Sequence, residues 1–138
     1  IAEAVLLTLI EEGPKSLRNP NDYTSRANYM WCATIALSGL VGSGVPHDWS
    51  THYIGHELTA LYGLDHAQTL AIVLPAMMWV MRDEKRTKIN RYAEKVWDVH
   101  DDSDHVQVAI RQTVEFFESM GLPTKLLAYG IKEDVAAR

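Results

Sequence analysis

Thr51-His52-Tyr53-Ile54-Gly55-His56-Glu57-Leu58-Thr59-Ala60-Leu61-Tyr62-Gly63-Leu64-Asp65-His66 holds three of the chain's six histidines. Read as local structure, the stretch is a helix, a corner and the start of a second helix. No glycine–proline break interrupts it before Gly63, which can take the left-handed conformation that ends a helix. Asp65 can then cap the next helix at its N-terminus, leaving His66 in that helix's first turn. The corner decides how the three rings can meet. On one continuous helix, His52 and His66 would stand about 21 Å apart and could not share an ion. With a turn at Gly63-Leu64-Asp65 they can.

Imidazole is the commonest side-chain ligand for zinc and iron, and it titrates near neutral pH. His52 and His56 are four residues apart and lie on one helix face, so spacing alone favours them as a ligand pair. They are not a zinc-protease site. That motif requires His-Glu-x-x-His, and Ala60 stands where the second histidine belongs. From the residues themselves two readings stay open, a metal corner and a set of structural histidines with satisfied hydrogen bonds.

Outward from this corner the chain reads as helices throughout. Ile1, Val5 and Leu9 recur every four residues until Gly13-Pro14, where an interruption is predicted. Asp22 can cap a helix running to about Val41, followed by the flexible link Gly42-Ser43-Gly44-Val45-Pro46. The histidine-bearing helix spans about Asp48 to Tyr62. The next runs from Asp65 through Met81, with a kink predicted at Pro75. Ile89, Tyr92, Ala93, Val96 and Trp97 form one amphipathic face, and Val106, Ile110, Val114 and Phe117 another. Gly121-Leu122-Pro123 closes the latter helix. Val135 to Arg138 reads as part of a further helix. No segment alternates polar and apolar over strand length, and no repeat occurs. The predicted fold class is all-α, a multi-helix bundle forming one helical domain over residues 1–138.

Composition narrows the function. The 138 residues suffice for one domain with a sizeable core, and 47% hydrophobic with 22% charged residues is ordinary for a globular protein. The net charge is −5 and the basic residues do not cluster, which argues against nucleic-acid and anionic-membrane partners. The apolar runs Tyr29 to Val41 and Leu70 to Met81 are too short to span a bilayer and read as helices buried on several sides. Cys32, the single cysteine, excludes an internal disulfide and reads as a small core residue. A reducing, cytoplasmic location fits. Trp31, Trp49, Trp79 and Trp97 read as core or interface residues. The acidic segment Asp98 to His105 lacks the glycine and final glutamate of a calcium loop, so it reads as an inter-helix loop with Ser103 or Asp104 as cap.

A longer pattern then stands out: Trp49-Ser50-Thr51-His52-x3-His56-Glu57-Leu58-x-Ala60-x2-Gly63-x2-His66-Ala67-x3-Leu70-Ala71-x2-Leu74-Pro75-Ala76-Met77. It resembles the signature of the iron-dependent (group III) alcohol dehydrogenases, and within them the butanol-dehydrogenase-like, NADP-dependent aldehyde reductase branch. The likeness extends from Ile1 through Gly130, taking in Gly44-Val45-Pro46-x-Asp48-Trp49 and Gly121-Leu122-Pro123-Thr124.

The resemblance implies an N-terminal α/β domain that binds NAD(P) and a C-terminal helical domain that holds one divalent metal, iron or zinc, through one Asp and three His. By motif match His52 and His66 are the last two ligands. His56 matches a histidine facing the cleft near the nicotinamide, with an expected catalytic role in proton relay or orientation. The substrate class implied is a small aldehyde or alcohol, and the expected state is a homo-oligomer. The Asp-x3-His motif carrying the first two ligands is absent upstream of His52. His47 is the only earlier histidine, and Ser43 stands where the aspartate would. Glycine-rich turns for a pyrophosphate are absent too. The chain is therefore expected to be part of a longer protein, with half a metal site, no activity alone, and an exposed, partly apolar surface that favours self-association. Two other readings compete, a helical interaction module and a di-metal bundle. The latter should present Glu-x-x-His pairs, and none occurs near His56.

Overall fold

The computed structural model describes residues 1–101 and 103–132. Among these there are six α-helices and no strand: α1 Ala2–Arg18, α2 Tyr23–Leu37, α3 Ser50–Tyr62, α4 His66–Val80, α5 Arg86–Val96 and α6 His105–Ser119. A 3-10 turn follows at Leu126–Tyr129. The all-α bundle is as expected. The segment Val135 to Arg138 lies outside the described residues.

Successive helices pair as α1 with α2, α3 with α4 and α5 with α6. Helix α1 also meets α5, and α6 meets α4, which joins the three pairs into one body. Two apolar clusters hold it. Leu58, Leu64, Ile72, Val73 and Ile131 pack under the histidine corner. Ile89, Ala93, Val106 and Ala109 fill the seam of α5 and α6, where the two alanines are fully buried and let the backbones approach. Beside that seam the Tyr92 hydroxyl lies 2.9 Å from Thr113 Oγ1, and burial pushes the Tyr92 phenol up.

Several caps are those read from the sequence. Asp22 accepts from the backbone N–H of Thr24, and Asp104 from those of Val106 and Gln107. Asp104 thus makes the Asp98–His105 stretch a helix-entry loop, although Asp102 lies outside the described residues. Cys32 is a buried core residue.

Three expectations need correction. Helix α1 does not stop at Gly13-Pro14 but runs on to Arg18. An interior proline costs about 3 kcal/mol in a lost hydrogen bond and a ring clash. Packing outweighs this: Glu12 and Gly13 are buried, and a Cβ on Gly13 would sit 3.1 Å from Met120 Cε at the end of α6. Helix α2 ends at Leu37, short of Val41, because the chain turns at Ser38 and Gly39 has a φ of +82°. The apolar run within it is not buried on several sides: Met30, Trp31 and Leu37 are 62%, 66% and 90% exposed. Of the tryptophans, read as core or interface residues, Trp31, Trp49 and Trp79 are exposed, which leaves the interface alternative for these three, and Arg82 stacks over the Trp79 ring at 4.2 Å. The periodicity marked which residues are apolar; which of them are covered depends on neighbours that a period cannot reveal.

Helix α4 continues unbroken through the buried Pro75. No helix of the described residues is long and apolar enough to cross a membrane.

Candidate metal centre

The corner forms as its residues dictate. Helix α3 closes at Gly63, which takes φ +68° and ψ +20° while its N–H donates to Thr59 O at 2.9 Å. Leu64 drops into the core, and Asp65 adopts the extended N-cap conformation, its own N–H bonded to the Gln68 side chain at 2.9 Å. His66 is the first residue of α4. The two helices approach closely because α3 carries a buried glycine at the crossing. A Cβ on Gly55 would stand 2.9 Å from Thr69 Oγ1 and 3.3 Å from Thr69 Cβ.

Thr69 cannot swing away. It is fully buried, and its hydroxyl donates to the His66 carbonyl at 2.9 Å. Gly55→Ala is therefore expected to destabilise the chain by about 1–3 kcal/mol through overpacking, despite alanine's better helix propensity. Urea unfolding measures this, and an unchanged midpoint would mean that the helices do not meet so closely.

The approach brings all three rings together. Ring centroids are 5.4 Å apart for His52–His66, 5.7 Å for His56–His66 and 6.5 Å for His52–His56. An imidazole nitrogen lies about 1.2 Å from its centroid. With metal–nitrogen bonds of about 2.0–2.1 Å, two ligands on one tetrahedral ion put their centroids about 5.2 Å apart, with a ceiling of about 6.4 Å for rings on opposite sides of it. The His52–His66 pair matches that separation. The His56–His66 separation also falls below the ceiling, and the His52–His56 pair, which spacing alone favoured, is the widest of the three.

The chemistry of the donors agrees. Burial first, and then the neighbouring His66 and His56, hold the His52 imidazole below its ordinary pKa, in the neutral form that a metal requires. The other three histidines have protein partners at their ring nitrogens: His47 on Gly42 O, His100 on Asp98 and His105 on Asp101 O. Among the described residues no set of three or more His, Cys, Asp or Glu side chains is gathered as a ready chelate. Two ring ligands fit part of a four-ligand site.

A cleft of about 540 Å³ opens beside His52, between the end of α2, the 38–49 link and the start of α3. Leu37, Val41, Val45 and Pro46 give it aliphatic walls, and Lys88 supplies a cation at its edge. Trp49 and Asp48 were not read as site residues from the sequence. Asp48 accepts from Ser50 N–H at the start of α3 and pairs with Lys85, tying that end of α3 to the α4–α5 junction. The only sequence signal for this was the Asp-x-Ser turn pattern.

Comparison with known proteins adds the family. The description "Fe-containing alcohol dehydrogenase family, C-terminal" matches residues 1–138. The chain belongs to this family. As a family member it is similar to the NADPH-dependent aldehyde reductase YqhD of Escherichia coli strain K12, 58% identical over 132 residues, which is 94% of this chain and 34% of that protein. It is 38% identical to the NADH-dependent butanol dehydrogenase A of Clostridium acetobutylicum, covering 97% of this chain and 36% of the relative. The crystal structure of E. coli K-12 YqhD superposes with a TM-score of 0.95 at 56% identity, over 99% of this chain and 36% of that one. The NADH-dependent butanol dehydrogenase A of Thermotoga maritima superposes at 0.94 with 32% identity, covering 99% and 35%. This family chain therefore spans about a third of the length of the curated relatives it matches.

Proposed function

We propose that this chain is the helical, metal-binding part of an alcohol dehydrogenase or aldehyde reductase. The reaction is hydride transfer between NAD(P)H and a small aldehyde or alcohol. Relatives named as an NADPH-dependent aldehyde reductase and NADH-dependent butanol dehydrogenases support the reaction class. The observation that carries the reading is the 5.4 Å separation of His52 and His66 across the Gly63 corner.

In this reading His52 and His66 hold a divalent ion, iron or zinc, together with ligands from outside this chain. When bound there, the ion supplies Lewis acidity to the substrate oxygen, and the nicotinamide, held mainly outside this chain, supplies the hydride. His52 stays neutral and presents a lone pair. His56, exposed on the same face with its ring 5.7 Å from that of His66, is the residue proposed to relay a proton between the substrate oxygen and solvent, or to orient the nicotinamide. The aliphatic cleft beside His52 suits the carbon chain of a small aldehyde. A cytoplasmic homo-oligomer is the proposed setting, supported by the single buried cysteine and the exposed apolar face of α2. Neither nucleic acid nor membrane is a proposed partner, given the net charge of −5.

The test substitutes this chain for the equivalent third of the E. coli aldehyde reductase. The chimera should oxidise NADPH or NADH in the presence of a small aldehyde, lose that activity on chelation and regain it with Fe²⁺ or Zn²⁺. A folded chimera whose turnover ignores chelation would sink the metal reading.

A further inference from the structure

Metal-ligating histidines are held in orientation by a second contact, most often a hydrogen bond from the other ring nitrogen. His52 has no such bond to protein among the described residues. Its ring is instead flanked by two others, His66 at 5.4 Å and Trp49 at 5.1 Å with ring planes 73° apart. That is the edge-to-face geometry aromatic rings prefer.

Trp49 is itself fixed in place. Its carbonyl accepts from Tyr53 N–H at 3.0 Å, the first backbone bond entering α3. Its indole leans on His47, with centroids 5.8 Å apart. His47 is pinned in turn, because its Nε2 donates to the Gly42 carbonyl at 3.0 Å. That fit requires glycine: a Cβ at position 42 would fall 2.0 Å from His47 Nε2. The chain of contacts runs from the link, through two rings, to His52. Yet Trp49 is 49% exposed, so it adds little to the core.

We propose that Trp49, braced by His47 on Gly42, is a positioning residue that fixes the ring orientation of His52 toward His66. This inference rests on the metal reading of that pair. It assigns Trp49 a part that burial does not explain, and it makes the 42–49 link a part of the metal site.

The test is calorimetric titration of the metal-stripped chimera with Zn²⁺, beside thermal unfolding of each variant. Trp49→Ala is expected to weaken Zn²⁺ binding about 10- to 100-fold, the usual effect of losing an outer partner of a ligand, with little change in melting temperature. Trp49→Phe, which keeps an aromatic edge, should recover most of that loss. Gly42→Ala, which touches neither Trp49 nor His52 but displaces His47, should weaken binding by less than Trp49→Ala while the fold persists. It keeps the test decisive should Trp49→Ala unfold. Zn²⁺ affinity unchanged in both Trp49→Ala and Gly42→Ala, or as poor in Trp49→Phe as in Trp49→Ala, overturns the positioning role and leaves the metal reading intact. A wild-type chimera that takes no Zn²⁺, or takes it equally well as its His52→Ala variant, overturns the metal reading and the positioning role with it.

Discussion

Replacing either His52 or His66 with Ala in the chimera is expected to remove the metal and, with it, nearly all turnover. In the proposed site each ring is one of two donors from this chain, and their centroids stand 5.4 Å apart. Changes to outer partners of metal ligands cost 10- to 100-fold in affinity, so losing a ligand should exceed about 100-fold. A bound divalent ion contributes several kcal/mol to the charge developing on substrate oxygen. At about 1.4 kcal/mol per factor of ten, the fall in kcat should be roughly 1,000-fold or more. Metal analysis after gel filtration, run with the aldehyde-dependent NADPH assay, measures both effects. The two variants should behave alike. If His66→Ala retained a full complement of metal, the corner would not be the site.

His56→Ala should separate what those variants lose together. A positioned acid or base contributes about 100- to 10,000-fold, and a drop in kcat within that range is expected. Metal content should stay near wild type, because the motif match makes His52 and His66 the ligands, and theirs is the shortest ring separation of the three, 5.4 Å. The distinction matters because His52 and His56 share a face, and spacing alone makes them the more obvious pair. Equal loss of metal in the His52 and His56 variants would show their roles to be exchanged.

The corner itself was legible in the sequence, because each of its parts acts locally. Gly63 is left-handed, Asp65 occupies the N-cap and His66 opens α4, all as the residue types predict. Spacing along one helix does not reveal which rings converge, since that depends on how closely α3 and α4 pack. The deciding residues there, Gly55 and Thr69, look unremarkable in the sequence. The same limit explains α1, where Gly13-Pro14 carries a strong local signal to stop but the contact with Met120 and the burial of Glu12 override it. It explains Trp49 too. The sequence leaves its ring as either a core or an interface residue; only the fold shows it half exposed and standing against His52. Local rules place a residue on an element; contact between elements assigns its neighbours.

The Gly63 corner has one more effect, on the order in which the site is made. Its two donors lie on consecutive helices joined by a tight turn, so bringing them together closes only a short loop, whose entropic penalty is small. Contacts between near neighbours in the chain form fast. In the proposed reading, the two donors this chain brings thus come from a single helical hairpin, drawn up early in folding. An ion bound as proposed would meet a prearranged pair of imidazoles.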